Sequence, residues 1–232
     1  MSGVEGVWSY LINLGRMEYP HSHRFQTECV AWRLDDESRP DLFLLTEHPP
    51  VFTLGSRGGL DSLTVSREHI ERQGLAIVQT ERGGDITYHG PGQLVVYPVI
   101  HLRLARLSVT AYVDRLEEAM IGCCRDFGIS SGRDRRNRGV WVGDNKIGSI
   151  GIRVRHGVTF HGLALNVDPS FQHFGWIRPC GLSRVGVTSI CREAGRIIDG
   201  AAVRERMIYH LEQIFGRTLV PVAPSVISGE AA

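Results

Sequence analysis

The segment Ile177-Arg178-Pro179-Cys180-Gly181-Leu182 sets a thiol between a residue that stiffens the approach and one that adds no bulk beside the sulfur. Such a thiol suits nucleophilic chemistry, although an isolated cysteine is more often structural. A free thiol of pKa about 8.5 is only slightly ionised at neutral pH, so a nearby base or cation must raise the thiolate fraction. Lys146, which opens the run Lys146-Ile147-Gly148-Ser149-Ile150-Gly151-Ile152-Arg153, is a candidate for that role. It is either a surface lysine at a strand end, the commoner case, or a lysine desolvated in a pocket, where it exchanges protons more easily. Spacing along the chain does not show that the two residues meet.

Two further segments combine glycine with polar groups. In Arg82-Gly83-Gly84-Asp85-Ile86-Thr87-Tyr88-His89-Gly90-Pro91-Gly92-Gln93, glycine turns bound a strand around Thr87, which lets backbone N–H groups approach a ligand. The alternative is a tight hairpin with a solvent-facing Arg82. No Gly-Lys-Ser/Thr follows, and no dinucleotide fingerprint is present. His161-Gly162-Leu163-Ala164-Leu165-Asn166 reads as a small-residue strand flooring an apolar slot, with His161 a hydrogen-bonded core residue rather than a proton carrier. His21-x-His23, His89, His161 and Cys180 lack metal-ligand spacing, so no metal is expected. A serine hydrolase is disfavoured because no Gly-x-Ser-x-Gly elbow occurs.

The elements that must position these residues follow from periodicity and punctuation. Trp8 to Leu14, Leu42 to Leu45 and Val51 to Leu54 read as strands. Pro20 suits the first turn of a helix running to about Arg33, and Ser66 caps a short helix that stops before Gly74. Val109, Tyr112, Val113, Leu116, Met120, Cys123 and Phe127 form an apolar helical stripe ended by Gly128, with Cys123 a buried structural thiol. Three antiparallel strands are expected over Val140 to Val142, Lys146 to Val154 and Val158 to Val167. A last helix carries Val203, Met207, Leu211 and Ile214 up to Gly216. Without regular βαβ alternation, the expectation is one mixed α/β (α+β) domain over residues 1–219, with a loosely ordered tail over 220–232.

Composition narrows the partners. The net charge of +1 gives no reason to expect nucleic acid or a membrane surface. No window reaches the length of a membrane span, and no signal or transit peptide is recognised. Glycine, 27 of 232 residues, is enriched to about 12% against a usage near 7%. Five cysteines with no C-x-x-C pair point to a reducing, cytoplasmic setting.

Taken together, the segments resemble one family, the lipoyl(octanoyl) transferases. The resemblance is carried by Glu47-His48-Pro49-Pro50-Val51-Phe52-Thr53-Leu54-Gly55, RGGDITYHGPGQ at 82–93, GVWV at 139–142, KIGSIGIRV at 146–154, HGLALNVD at 161–168 and PCGL at 179–182. It implies a single domain like the lipoate and biotin protein ligase catalytic fold, with mixed sheets flanked by helices. It implies transfer of octanoyl from the phosphopantetheine thiol of acyl carrier protein to Cys180. The acyl group then passes to a lysine on lipoyl domains of 2-oxoacid dehydrogenase E2 subunits or the glycine cleavage H protein. Lys146 matches the lysine that lowers the cysteine pKa and shuttles protons. The substrate-contacting stretches map onto Arg82, Gly83, Gly84, Asp85, Ile86, Thr87, Tyr88 and His89, onto Ser149, Ile150 and Gly151, and onto Gly162, Leu163 and Ala164. No cofactor is implied.

Ser149 stands where the family often has alanine, a small polar change in the slot. Arg133, Arg135, Arg136 and Arg138 form a basic loop, either solvated or a dock for the acidic carrier protein. An ATP-dependent lipoate or biotin ligase and a non-catalytic lipoyl-domain binding module stay as alternatives. Ligases keep the matching lysine but need no cysteine nucleophile.

Overall fold

The computed structural model describes residues 7–178 and 185–228. The chain opens with β1 (Trp8–Arg16) and α1 (Tyr19–Asp35), then β2 (Leu42–Glu47), β3 (Val51–Leu54), α2 (Arg67–Arg72), β4 (Ala76–Gln79), β5 (Ile86–His89) and β6 (Gln93–Val99). After α3 (Val109–Asp126) come β7 (Gly132–Asp134), β8 (Asn137–Val142), β9 (Asn145–Arg155) and β10 (Val158–Asn166). β11 (Gly186–Val187), α4 (Ile190–Ala194), α5 (Gly200–Phe215), β12 (Thr218–Pro221) and α6 (Ser225–Ser228) complete the described chain.

Local chemistry explains most boundaries. Ser108 Oγ accepts the Ala111 N–H at 3.1 Å to cap α3, and Gly128 follows the helix at φ +79°. Asp199 caps α5 in the same way, and Gly216 ends it in the left-handed conformation. The β9–β10 hairpin turns on His156 and Gly157, both at positive φ, the geometry that matches the twist of paired strands.

The strands form two sheets. The large one runs β12-β1-β2-β6-β10-β9-β8-β7, with β11 added beside β9, and the small one runs β4-β3-β5. β1 pairs in parallel with both β2 and β12, whereas β2, β6, β10, β9, β8 and β7 follow one another antiparallel. Both faces of the large sheet are covered. Phe43 and Leu45 share a core with Tyr112, Leu116, Met207 and Leu211 of α3 and α5. Leu42 and Leu44 share another with Val30 of α1 and with Val95 and Tyr97. Double coverage is why β2 reads as an unbroken apolar run instead of alternating. The small sheet has its own core of Phe52, Leu54, Ile70, Ile86, Tyr88 and Ile177.

The mixed α/β architecture agrees with the sequence expectation, but the C-terminal boundary does not. Residues 220–228, expected as a loose tail, contain the end of β12 and α6. β12 pairs with the outer edge of β1, Val222 N–H donates to Leu11 O at 3.0 Å, and Val226 and Ile227 pack against the α1-side core. The apolar residues of this stretch cover an edge that β1 would otherwise leave open.

Candidate active site

Strand pairing sets Lys146 near the start of β9, between β8 and β11. β10 pairs with β9 from Val158↔Arg155 to Leu165↔Gly148 and stops there. The freed edge is taken by β11, which sets Val187 opposite Lys146, while Thr188 N–H donates to Lys146 O at 3.0 Å. Lys146 is 9% exposed, so the desolvated alternative for this residue is the one observed. Its Nζ donates to the Arg138 carbonyl at 2.9 Å and stands 5.2 Å from the centre of the Trp141 ring. Gly139 makes this possible: at φ +127° it adopts a conformation other residues resist, and a Cβ there would meet Gly148 O and the Lys146 Cε.

Arg82 is likewise buried, at 7% exposure, rather than facing solvent. Its guanidinium donates to Thr53 O at 2.6 Å and to Gly83 O at 3.1 Å, fastening the glycine loop to β3. Gly55, Ser56 and Arg57 N–H groups hold the same loop through Asp85 O, Arg82 O and Gly84 O. Gly151 lies against it from β9, where a Cβ would come within 3.0 Å of Arg82 Cδ and Gly83 O. Gly151 therefore makes room for the arginine loop, and Gly148 for Met120.

His161 is the buried, hydrogen-bonded histidine expected from sequence, but it also faces the cavity. Its φ of +55° breaks the alternation of β10, so its ring stacks beside Phe160 at 4.8 Å. Its N–H leaves the ladder and donates to Gln26 Oε1 of α1 at 2.8 Å. Beneath the cavity, His48 Nδ1–H donates to Met17 O at 2.7 Å, which leaves Nε2 to accept the Tyr97 hydroxyl at 2.8 Å. His89 meets Gln93 at 3.2 Å, Gln93 donates to Asn166 at 2.9 Å, and Asn166 donates to Thr188 O at 3.0 Å. This chain of bonds joins the glycine loop to the strand that pairs with Lys146.

A cavity enclosing about 880 Å³ of atom-free space, its open mouth included, lies between these elements. Among its walls are Lys146, Arg82, Gly84, Asp85, Ile86, Thr87, His89, Ser149, Ile150, Gly151, Gly162, Leu163 and Ala164. Gly83 and Tyr88 are not wall residues. Gly83 N–H is engaged by Ile152 O at 2.8 Å, and Tyr88 turns into the small-sheet core, where its hydroxyl meets His173 at 3.0 Å. Cys180 lies outside the described residues, within 179–184. Tyr19, Tyr97, Asn137, Asn166, Phe174, Ile177 and Val185 also line the cavity and were missed from sequence. Two of them carried a signal, Asn166 as the last residue of the small-residue strand and Ile177 as the first residue of the cysteine segment.

The model of the lipoyl protein ligase A/B catalytic domain matches residues 18–212. An octanoyltransferase of Desulfotalea psychrophila is 49% identical over 214 residues, covering 91% of this chain and 96% of that protein. One from Syntrophobacter fumaroxidans is 47% identical, covering 90% and 91%. This chain belongs to the octanoyltransferase family. Its fold is that of lipoate protein ligases: the structure of a bipartite lipoate protein ligase and its E2 lipoyl domain from Thermoplasma acidophilum superimposes with a TM-score of 0.76 at 14% identity, covering 96% of this chain and 91% of that one.

In this family member the basic loop is not an uncompensated positive patch. Arg133 pairs with Glu117 and Glu118 at 3.0 and 2.9 Å, Arg136 with Asp134 and Asp144 at 2.8 Å each, and Arg138 with Asp114 at 2.6 Å. Histidines that seemed unrelated along the chain do converge in one place. His23, Glu81 and His161 bring donor atoms within 4.8 Å of one another, with His23 Nε2 already 3.0 Å from Glu81 Oε2. His161 and His23 hold the Glu81 carboxyl well below the usual carboxylate range.

Burial lowers the pKa of His48, His89 and His161, so each stays neutral around the cavity. Between their depressed folded values and about 6.5, the unfolded chain binds more protons than the folded one, so stability falls as pH falls through that window and is flat above it. Thermal unfolding midpoints should therefore drop as pH is lowered below about 6.5. His89→Gln should make that slope shallower. An unchanged slope in the variant would contradict the assignment.

Proposed function

We propose that the chain transfers an octanoyl group from acyl carrier protein to a lysine of a lipoyl domain through a thioester on Cys180. The acceptor class is the lipoyl domain of 2-oxoacid dehydrogenase E2 subunits and the glycine cleavage H protein. In the first step the Cys180 thiolate adds to the carrier thioester carbonyl, a new C–S bond forms, the old C–S bond breaks, and the leaving phosphopantetheine thiolate takes a proton from the Lys146 ammonium, which becomes the neutral amine. In the second, the acceptor amine adds to the acyl-cysteine, its proton passes to Lys146, and the Cys180 thiolate departs. The first exchange is nearly balanced; the second makes a stable amide, so no nucleotide and no cofactor is required.

The observation that carries this reading is the buried amine of Lys146 in the wall of a cavity whose other walls bear Ile177 and Val185, the described residues near either end of the 179–184 segment. Apolar walls at Ile150, Leu163, Ala164 and Phe174 suit a saturated acyl chain. The four described cysteines offer no competing nucleophile. Cys29, Cys123, Cys124 and Cys191 are buried free thiols outside the cavity wall, and burial pushes Cys124 up to about 11. Free thiols also fit a cytoplasmic setting. Among the described residues no helix is long and apolar enough to cross a membrane.

Donor choice tests the proposal. Octanoyl-carrier protein should acylate a lipoyl domain in the absence of ATP, and free octanoate with magnesium and ATP should not. Acylation that depends on ATP would assign the chain to the ligase reaction.

A further inference from the structure

A buried carboxylate outside the cavity wall is tied to Lys146 through one peptide unit. Glu117 of α3 is 1% exposed. Its Oε1 accepts the Gly139 N–H at 2.9 Å, and its Oε2 accepts Arg133 Nε at 3.0 Å and Arg138 Nη1 at 3.1 Å. The Gly139 N–H and the Arg138 carbonyl belong to the same peptide bond. In a trans peptide these groups point in opposite directions, so the plane carries Glu117 at its N–H end and Lys146 Nζ, at 2.9 Å, at its oxygen end.

We infer that Glu117 is a positioning residue for Lys146, acting through the Arg138–Gly139 peptide; this rests on the proposed role of Lys146. Two effects follow from the geometry. A carboxylate on the N–H end fixes the orientation of a peptide whose conformation, at Gly139 φ +127°, would otherwise be free to swing. It also polarises that peptide, raising the electron density on the Arg138 oxygen and favouring the ammonium form that donates to it. The paired arginines do not cancel this. Asp114, Glu117 and Glu118 face Arg133 and Arg138, leaving the group one charge more negative than positive. Across the cavity Lys146 shares walls with the charged and titratable groups Arg82, Asp85, His89 and His161.

Glu117→Gln separates the two roles from mere packing. The amide oxygen can still accept the Gly139 N–H, but the amide nitrogen would face two guanidinium donors, and the negative charge is gone. The test measures acetylation of Lys146 by acetic anhydride against pH, read by peptide mass spectrometry in the full chain, together with the pH profile of octanoyl transfer. The expected result is a Lys146 midpoint lowered by about one unit, so that acetylation at a fixed pH below the midpoint rises about tenfold. The acid limb of the transfer profile should move the same way. An unchanged midpoint and profile in folded E117Q protein would overturn the inference.

Should E117Q not fold, Glu117→Asp keeps the charge while shortening its reach. It should give a smaller shift of the same sign, and no shift in that variant would overturn the inference too. Failure of the underlying reading looks different. Full activity in Lys146→Ala would remove the proposed role of the lysine, while the acetylation midpoint in E117Q would still report the link.

Discussion

Replacing Lys146 with alanine is expected to lower octanoyl transfer by about a thousand-fold, the scale of losing a positioned general acid–base group. The loss should appear in kcat rather than in KM, because in the proposed mechanism the amine acts on the proton of a reacting group and not on the acyl chain. Lys146→Arg should fare little better. A guanidinium keeps the charge but does not give up a proton in the accessible pH range, and its planar fork does not fit a single carbonyl acceptor beside the Trp141 ring. Stopped-assay rates with octanoyl-carrier protein, alongside thermal melts to confirm folding, would check this. A folded alanine variant within tenfold of the parent rate would remove Lys146 from the mechanism.

The second large effect is expected at Gly162, for a reason that was not apparent from sequence. From sequence this small-residue strand reads as the floor of an apolar slot. In the structure, a Cβ at this position would run into Val96 O and lie 2.8 Å from Pro98 Cδ and 3.2 Å from Tyr97 Cα, all on the neighbouring strand β6. Gly162→Ala must push β6 and β10 apart in the middle of the large sheet. Overpacking of this kind costs about 2–3 kcal/mol, and for a chain of this size a melting point lower by about 5–10 °C. Because Tyr97 and His161 line the cavity on either side of the contact, KM for the acyl donor should rise as well. Gly175→Ala is the control, since open space surrounds that position. Equal melting points for the two variants would contradict the close-approach argument.

Much of the frame was legible because it is written in short-range patterns. The β8–β9–β10 meander announces itself by alternating strands around turn residues, and α3 by an apolar stripe between Ser108 and Gly128. The mixed fold and the family resemblance followed from those segments in order. The residues that escaped notice depend on contacts made far along the chain. Tyr19 and Tyr97 reach the cavity from α1 and β6, elements that gave no chemical signal. The resemblance names Arg82 as a site residue, but its anchoring shows only when Thr53, in β3, is seen to receive its guanidinium. Glu117 sits beside Leu116 in the helix pattern as one more polar residue, and only the approach of β8 reveals what it holds. The stretch 220–228 carries Val220, Val222, Val226 and Ile227, but Pro221 and Pro224 break the strand pattern, and only the open edge of β1 shows where it pairs.

The central claim, a covalent acyl-enzyme on one sulfur, is open to a single direct measurement. Intact-mass spectrometry after mixing the protein with octanoyl-carrier protein, without ATP and without acceptor, should show one octanoyl adduct on the parent chain. That adduct should vanish when a lipoyl domain is added, and Cys180→Ala should show none and leave the lipoyl domain unmodified. Acylation of the lipoyl domain by the Cys180→Ala protein would contradict the account.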